Sequence, residues 1–163
     1  MLRDKSLIPL SRQHQHALAL CVRLERALQA GPIDPEPWQA EMVQIFEQEI
    51  TIHFAAEEKE VFPAAANFPE LQLVVHELFE EHRLLRDLFA RARSRDLDRT
   101  ALSSFATVLA QHVRKEERQL FEGMQKLMSA MELETIGAAL ERGLEAAINT
   151  CSLPNPSTRN AEQ

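Results

Sequence analysis

The pattern His-x3-Glu-Glu-x3-Phe occurs twice in this chain. One copy is His53-Phe-Ala-Ala-Glu57-Glu58 with Phe62, and the other is His112-Val-Arg-Lys-Glu116-Glu117 with Phe121. A spacing of four in an α-helix rotates about 40° and rises about 6 Å, so each His and its first Glu share a face. That face continues an apolar stripe, through Phe46 and Ile50 in the first copy and Phe105, Val108 and Leu109 in the second. A different pair repeats upstream of each copy, Leu10-x3-His14 and Leu78-x3-His82. The chain therefore reads as one helical hairpin used twice. Four amphipathic helices joined by short connections bury their stripes as an antiparallel bundle.

The breaks support this reading. Gly31-Pro32 with Asp34-Pro35, Pro63 with Pro69, the polar stretch Ser94 to Asp98, and Ser129 to Glu132 separate the periodic segments. The first helix is predicted over about Leu10 to Gln29. The second starts near Glu36, with Asp34 as N-cap and Pro35 in the first turn, and ends before Pro63. The third starts at Pro69 with the stripe Leu71, Val75, Leu78, Leu85 and Phe89. The fourth starts near Asp98 or Thr100. A fifth, about Glu132 to Asn149, carries Leu133, Ile136, Leu140, Leu144 and Ile148. The predicted fold is all-α: an antiparallel up-down four-helix bundle with an additional C-terminal helix over residues 1–150, and a disordered tail over 151–163. The fifth stripe must pack on the bundle or on another subunit, so a homodimer or a partner docked through this helix is the alternative to intramolecular packing.

With 163 residues the chain is the size of one domain. Eighteen Lys and Arg against 25 Asp and Glu give a net charge of −7, which argues against nucleic-acid or anionic-membrane binding. Four Gly and no Tyr argue against an all-β fold built on tight turns. Cys21 falls within an apolar helical pattern and reads as core; Cys151 reads as a free thiol near the tail. Neither has a CxxC partner, so sulfur redox or zinc chemistry is not expected. Met1 to Leu10 lacks the apolar stretch of a signal peptide, and no run reaches about 18 apolar residues. The cytoplasm is the expected compartment.

Bundle interiors are normally aliphatic, yet His14, His53, Glu57, His82, His112 and Glu116 all extend apolar stripes. Singly, each has an ordinary explanation. A lone core His is more often hydrogen-bonded than a ligand, and a lone helical His-x3-Glu is usually a surface pair. Jointly these explanations fail, because unpaired buried ions cost several kcal/mol each. A bound cation compensates four imidazoles and two carboxylates directly. The repeat suggests two ions, each with two His nitrogens, with Glu57 and Glu116 both bridging. A bridging oxo or hydroxo group then leaves an open position for a small molecule. The nitrogen/oxygen donor set suits iron and manganese, and zinc is compatible too. His16 points almost opposite His14, toward a polar face with Arg12 and Arg23, and is the alternative to His14 as the first-helix ligand, with His14 favoured; His76 lies off its stripe and reads as exposed. Glu58 and Glu117 read as outer residues, Glu49 and Glu60 as spare ligands. Met42, Met124, Met128 and Met131 read as gap fillers, and Trp38 as covering one bundle end.

At these residues the chain resembles the hemerythrin-like family, the HHE cation-binding domains, over about residues 6–130. The resemblance rests on the single His of the first helix, His-x3-Glu-Glu in the second and fourth, and Glu81-His82 in the third. It implies a non-haem di-iron site, oxo- or hydroxo- and carboxylate-bridged, that binds oxygen, nitric oxide or related species; manganese or zinc rank behind iron. By position, its ligands are His14, His53, Glu57, His82, His112 and Glu116. Oxygen-carrying hemerythrins have a His one turn before the third-helix ligand, where this chain has Leu78, and His-x4-Asp in the fourth helix, where this chain has His-x3-Glu. The four-His, two-Glu set looks more like the subgroup that includes iron–sulfur cluster repair proteins, although their cysteine-bearing N-terminal domain has no counterpart here. The expected function is to bind, sense or detoxify oxygen, nitric oxide or peroxide. The alternatives are an iron donor or cluster-repair-type enzyme, and an interaction module whose metal is structural. The lack of an appended output domain weakens a simple sensor. No Glu-x-x-His occurs, so the ferritin-like di-iron pattern does not fit.

Overall fold

A computed structural model describes residues 2–151, with side chains described through Glu145. The side chains of Ile148 and Cys151, and the predicted disordered tail from residue 152, lie outside the described residues. Five helices follow one another: α1 (Ile8–Ala30), α2 (residues 35–65), α3 (Pro69–Arg93), α4 (residues 99–127) and α5 (Ala130–Cys151). The first four form the bundle, with α1 along α4, α4 against α3, and α3 against α2.

Local chemistry sets the starts. The Asp34 carboxylate accepts from Glu36 N–H (3.1 Å) with Pro35 in the first turn, and Asp98 accepts from Ala101 N–H (2.8 Å). Helix α5 begins at Ala130, two residues ahead of the predicted Glu132. Ser129 and Glu132 form a reciprocal cap, with Ser129 N–H donating to Glu132 Oε2 (2.8 Å) and Glu132 N–H to Ser129 Oγ (3.3 Å).

Helix α2 does not stop before Pro63. It runs as Pro35–Ile45, a wide π turn Phe46–Ile50, Thr51–Ala56, a second π turn Glu57–Val61, and Phe62–Ala65. In the second π turn Phe62 N–H donates to Glu57 O, five residues back. A proline normally clashes with the carbonyl one turn earlier. Here the ladder is already widened in that turn, and Phe62 keeps a helical backbone (φ −62°, ψ −43°) ahead of the ring. Helix α4 carries the matching π turn at Glu116–Phe121. Both repeats thus widen at the Glu of His-x3-Glu, a placement typical of functional sites.

The apolar core is in two parts. One surrounds Leu24, Met42, Phe89, Leu102 and Phe105 at the end where α1 meets α2; Trp38 packs half-buried against it. The other surrounds Leu10, Phe62, Leu78, Phe121 and Met124 at the opposite end. Leu133, Ile136 and Leu140 of α5 join this second core, so the fifth stripe packs on its own bundle. Met131 corrects the expectation of a gap filler: it is 77% exposed. Met42, Met124 and Met128 are buried as expected, while Val108 is only half-buried. Cys21 is core, and burial pushes its thiol up to about 12, which leaves it unreactive. No helix among the described residues is long and apolar enough to cross a membrane.

Candidate metal centre

Between the two apolar cores lies a polar layer built only of the repeated residues. His14, His53, Glu57, His82, His112 and Glu116 are all buried there. Their donor atoms form two groups, His14, His53, Glu57, Glu116 and Glu57, His82, His112, Glu116, in each of which the atoms lie within 4.8 Å of one another. Both groups contain both carboxylates. Glu116 Oε2 is 3.0 Å from His14 Nε2 and its Oε1 3.0 Å from His112 Nε2. Glu57 Oε1 is 3.2 Å from His53 Nε2 and its Oε2 3.3 Å from His82 Nε2. Each carboxylate therefore turns one oxygen to each half.

These approaches are close but off the angles a hydrogen bond needs. Both oxygens of Glu57 and of Glu116, and Nε2 of His82 and His112, have no hydrogen-bond partner among the described residues. The opposite edge of every ring is satisfied. His14 Nδ1 meets Glu117 Oε1 at 2.6 Å, His82 Nδ1 meets Glu58 Oε1 at 2.7 Å, and His112 Nδ1 meets Glu81 Oε2 at 2.9 Å. His53 Nδ1 meets Gln13 Oε1 at 2.8 Å. Each Nδ1 faces an acceptor and so carries the proton, which turns the Nε2 lone pair inward. Buried polar atoms without partners are rare. Lone pairs and carboxylate oxygens packed together fit a pair of cations held by nitrogen and oxygen, and the outer acceptors fix the ring orientations as metal-binding imidazoles require.

The electrostatics agree. Burial pushes His14 down, but the adjacent carboxylates of Glu116 and Glu117 outweigh this and lift it to about 9. His112 is likewise pushed down by burial and lifted to about 10 by Glu116 and Glu81. Burial raises Glu57 and Glu116, yet the facing imidazoles hold both below the usual carboxylate range. A further layer neutralises the outer acids. Arg3 reaches Glu117 (2.5 Å), Arg86 reaches Glu58 (2.7 Å), and Lys115 reaches both Glu81 (2.5 Å) and Glu77 (2.7 Å). Phe54 stacks on His82 with centroids 3.7 Å apart, and Phe121 stacks on His14 at 5.7 Å.

A narrow cavity of about 20 Å³ adjoins this layer, room for one water or a molecule of similar size. Ala17, Ile50, Phe54, Leu109 and Val113 contribute its apolar walls, and it reaches His14, His53 and His112. His82 and Glu57 do not line it.

Several neighbours fall outside the two groups. His16 is exposed and pairs with Glu49 (2.8 Å); Glu60 pairs with Lys59 (3.4 Å); His76 is exposed. Glu49 and Glu60, read as spare ligands, thus have other partners, although Glu49 also lines the cavity. Stripe position does not mark Gln13, or Ser11, whose hydroxyl donates to Glu117 Oε1 (2.7 Å). The signal for Gln13 was present: Gln13-His14 matches Glu81-His82 in the repeat.

Neither curated proteins nor solved structures give a match to this chain. The hemerythrin HHE cation binding domain matches residues 9–124. With that match over most of its length and a doubled His/Glu centre in a four-helix bundle, the chain belongs to the hemerythrin HHE cation-binding domain family.

Proposed function

We propose that this chain is a cytoplasmic non-haem di-iron protein that binds oxygen, nitric oxide or peroxide, to sense or detoxify it. His14 and His53 would hold one ion and His82 and His112 the other, with Glu57 and Glu116 shared between them. The observation that carries this reading is that each carboxylate presents one oxygen to each pair of imidazoles. Iron supplies redox-active coordination chemistry when bound, and the mixed nitrogen/oxygen donors suit it. The chain's own contribution is orientation and exclusion. Glu58, Glu81, Glu117 and Gln13 fix the rings, while Phe54 and Phe121 wall the layer from solvent. The cavity, at about 20 Å³, favours a diatomic molecule or peroxide over a larger organic substrate.

The test is metal analysis of protein expressed in iron-replete medium without a metal-binding tag, with optical spectra before and after azide and nitric oxide. The expected result is about two irons per chain and charge-transfer bands that shift with azide. Less than about 0.2 metal per chain overturns the reading. Turnover of nitric oxide or peroxide with a reductant distinguishes a detoxifying enzyme from a stoichiometric binder. If ligand substitutions melt the fold and no gas reactivity exists, the metal is structural instead.

A further inference from the structure

The groups that meet the outer nitrogens of the four imidazoles match in type at one repeat position and differ at the other. Glu117 on His14 and Glu58 on His82 are equivalent, at 2.6 and 2.7 Å, and each carboxylate is met by an arginine, Arg3 and Arg86. The remaining pair breaks the symmetry. His53 Nδ1 donates to the neutral amide oxygen of Gln13, whereas His112 Nδ1 donates to the carboxylate of Glu81 (2.8 and 2.9 Å). The charge on Glu81 is only partly offset, because its cation, Lys115, is shared with Glu77.

An imidazole whose N–H is given to a carboxylate is a more basic ligand than one whose N–H is given to an amide. The second half therefore has two carboxylate-backed imidazoles and the first half has one. Exposure runs the same way. The adjoining cavity is lined by Gln13 and by both imidazoles of the first half, but by only His112 of the second. We propose that the two metal positions are unequal in retention, that the His14–His53 position releases its ion first, and that Gln13 is the positioning residue that sets this difference through His53. The inference rests on the di-metal reading above.

The test uses the full chain loaded anaerobically with ferrous iron and mixed with a ferrous chelator, with release followed by absorbance. The expected wild-type trace has two phases of equal amplitude whose rates differ by roughly tenfold or more. Gln13→Glu slows the fast phase toward the slow one, and Glu81→Gln speeds the slow phase toward the fast one. Mössbauer spectra of the iron-57 protein give a second readout that global stability does not mimic: two doublets in the wild type that draw together in Gln13→Glu. The two substitutions act in opposite directions on different phases, so Glu81→Gln alone still decides the matter if Gln13→Glu fails to fold. Two irons leaving in one phase, or two phases that neither substitution moves, overturn the inference and leave the di-metal reading standing. A wild-type chain that holds less than about 0.2 iron overturns both.

Discussion

Nε2 of His14 and Nε2 of His53 face each other at 3.0 Å. Each ring already turns its Nδ1 to an oxygen, of Glu117 and of Gln13. Two neutral rings held this way point lone pairs at one another, which repels unless a cation or a proton lies between. Anything that binds the folded chain and not the unfolded one stabilises it by mass action. Ferrous iron at about a hundred times its dissociation constant is therefore expected to add about 3 kcal/mol. That raises the melting midpoint by roughly 5–10 °C for a chain of this size. Calorimetry with and without a chelator measures the shift; identical midpoints would count against the metal-bound state.

Without metal, protons take the cation's place, and their loss sets a pH dependence. His14 and His112 are lifted to about 9 and about 10 in the folded chain, above the ordinary value near 6.5 for an unfolded His. A raised pKa contributes stability that is complete below about 6.5 and is lost as pH rises through 9 to 10. Glu117 moves the other way: burial raises it, but His14 and Ser11 bring it to about 2. Its contribution is complete above the usual carboxylate range and lost as pH falls toward 2. Urea midpoints of the metal-free protein should accordingly be highest near pH 5–6.5 and fall steadily from pH 7 to 10. In the metal-loaded protein the alkaline fall should be much reduced, because the metal stands in for those protons.

The fold and the six inward residues were legible because period and chemistry pointed the same way. Every His and Glu of the layer lies on an apolar stripe, and the stripe positions repeat between hairpins. The continuation of α2 through Pro63 was not legible, because proline is a helix breaker by local rule and the π turn that accommodates it has no propensity signature. Met131 misled for a related reason: in a helix packed on one face, an apolar side chain can fall on the other, and it does. The partners of Nδ1 were only half legible. Glu58 and Glu117 directly follow the inward carboxylates in sequence, but which ring each holds depends on how the helices pair, and sequence periodicity carries no such information.

Replacing Glu116 should separate metal binding from packing. Glu116 is fully buried and faces His14 and His112 at 3.0 Å each. Glu116→Ala removes one oxygen from each half, so content should fall from about two ions to fewer than about one per chain. Phe105 is buried in the core beyond the layer. Phe105→Ala should cost about 3–5 kcal/mol and leave the metal content of the folded fraction unchanged. Plasma emission spectrometry and chemical denaturation, run on both variants, check the two effects separately.

The seat of α5 depends on one glycine. A Cβ built on Gly137 would lie 2.7 Å from Ser6 Cβ and 3.0 Å from Ser6 Cα, closer than such atoms pack. Ser6 precedes α1, whose Leu10 belongs to the same core as Leu133, Ile136 and Leu140 of α5. The side chain of Gly137→Val cannot move aside as a flexible tip would, because part of the obstruction is backbone, so the helix itself must shift. Overpacking of this kind costs about 1–3 kcal/mol. The variant should bind a hydrophobic dye and be cut within α5 faster than the wild type under limited proteolysis. Because α5 supplies none of the six inward residues, iron content should stay at the wild-type level; a parallel loss of iron would mean that α5 also holds the polar layer together.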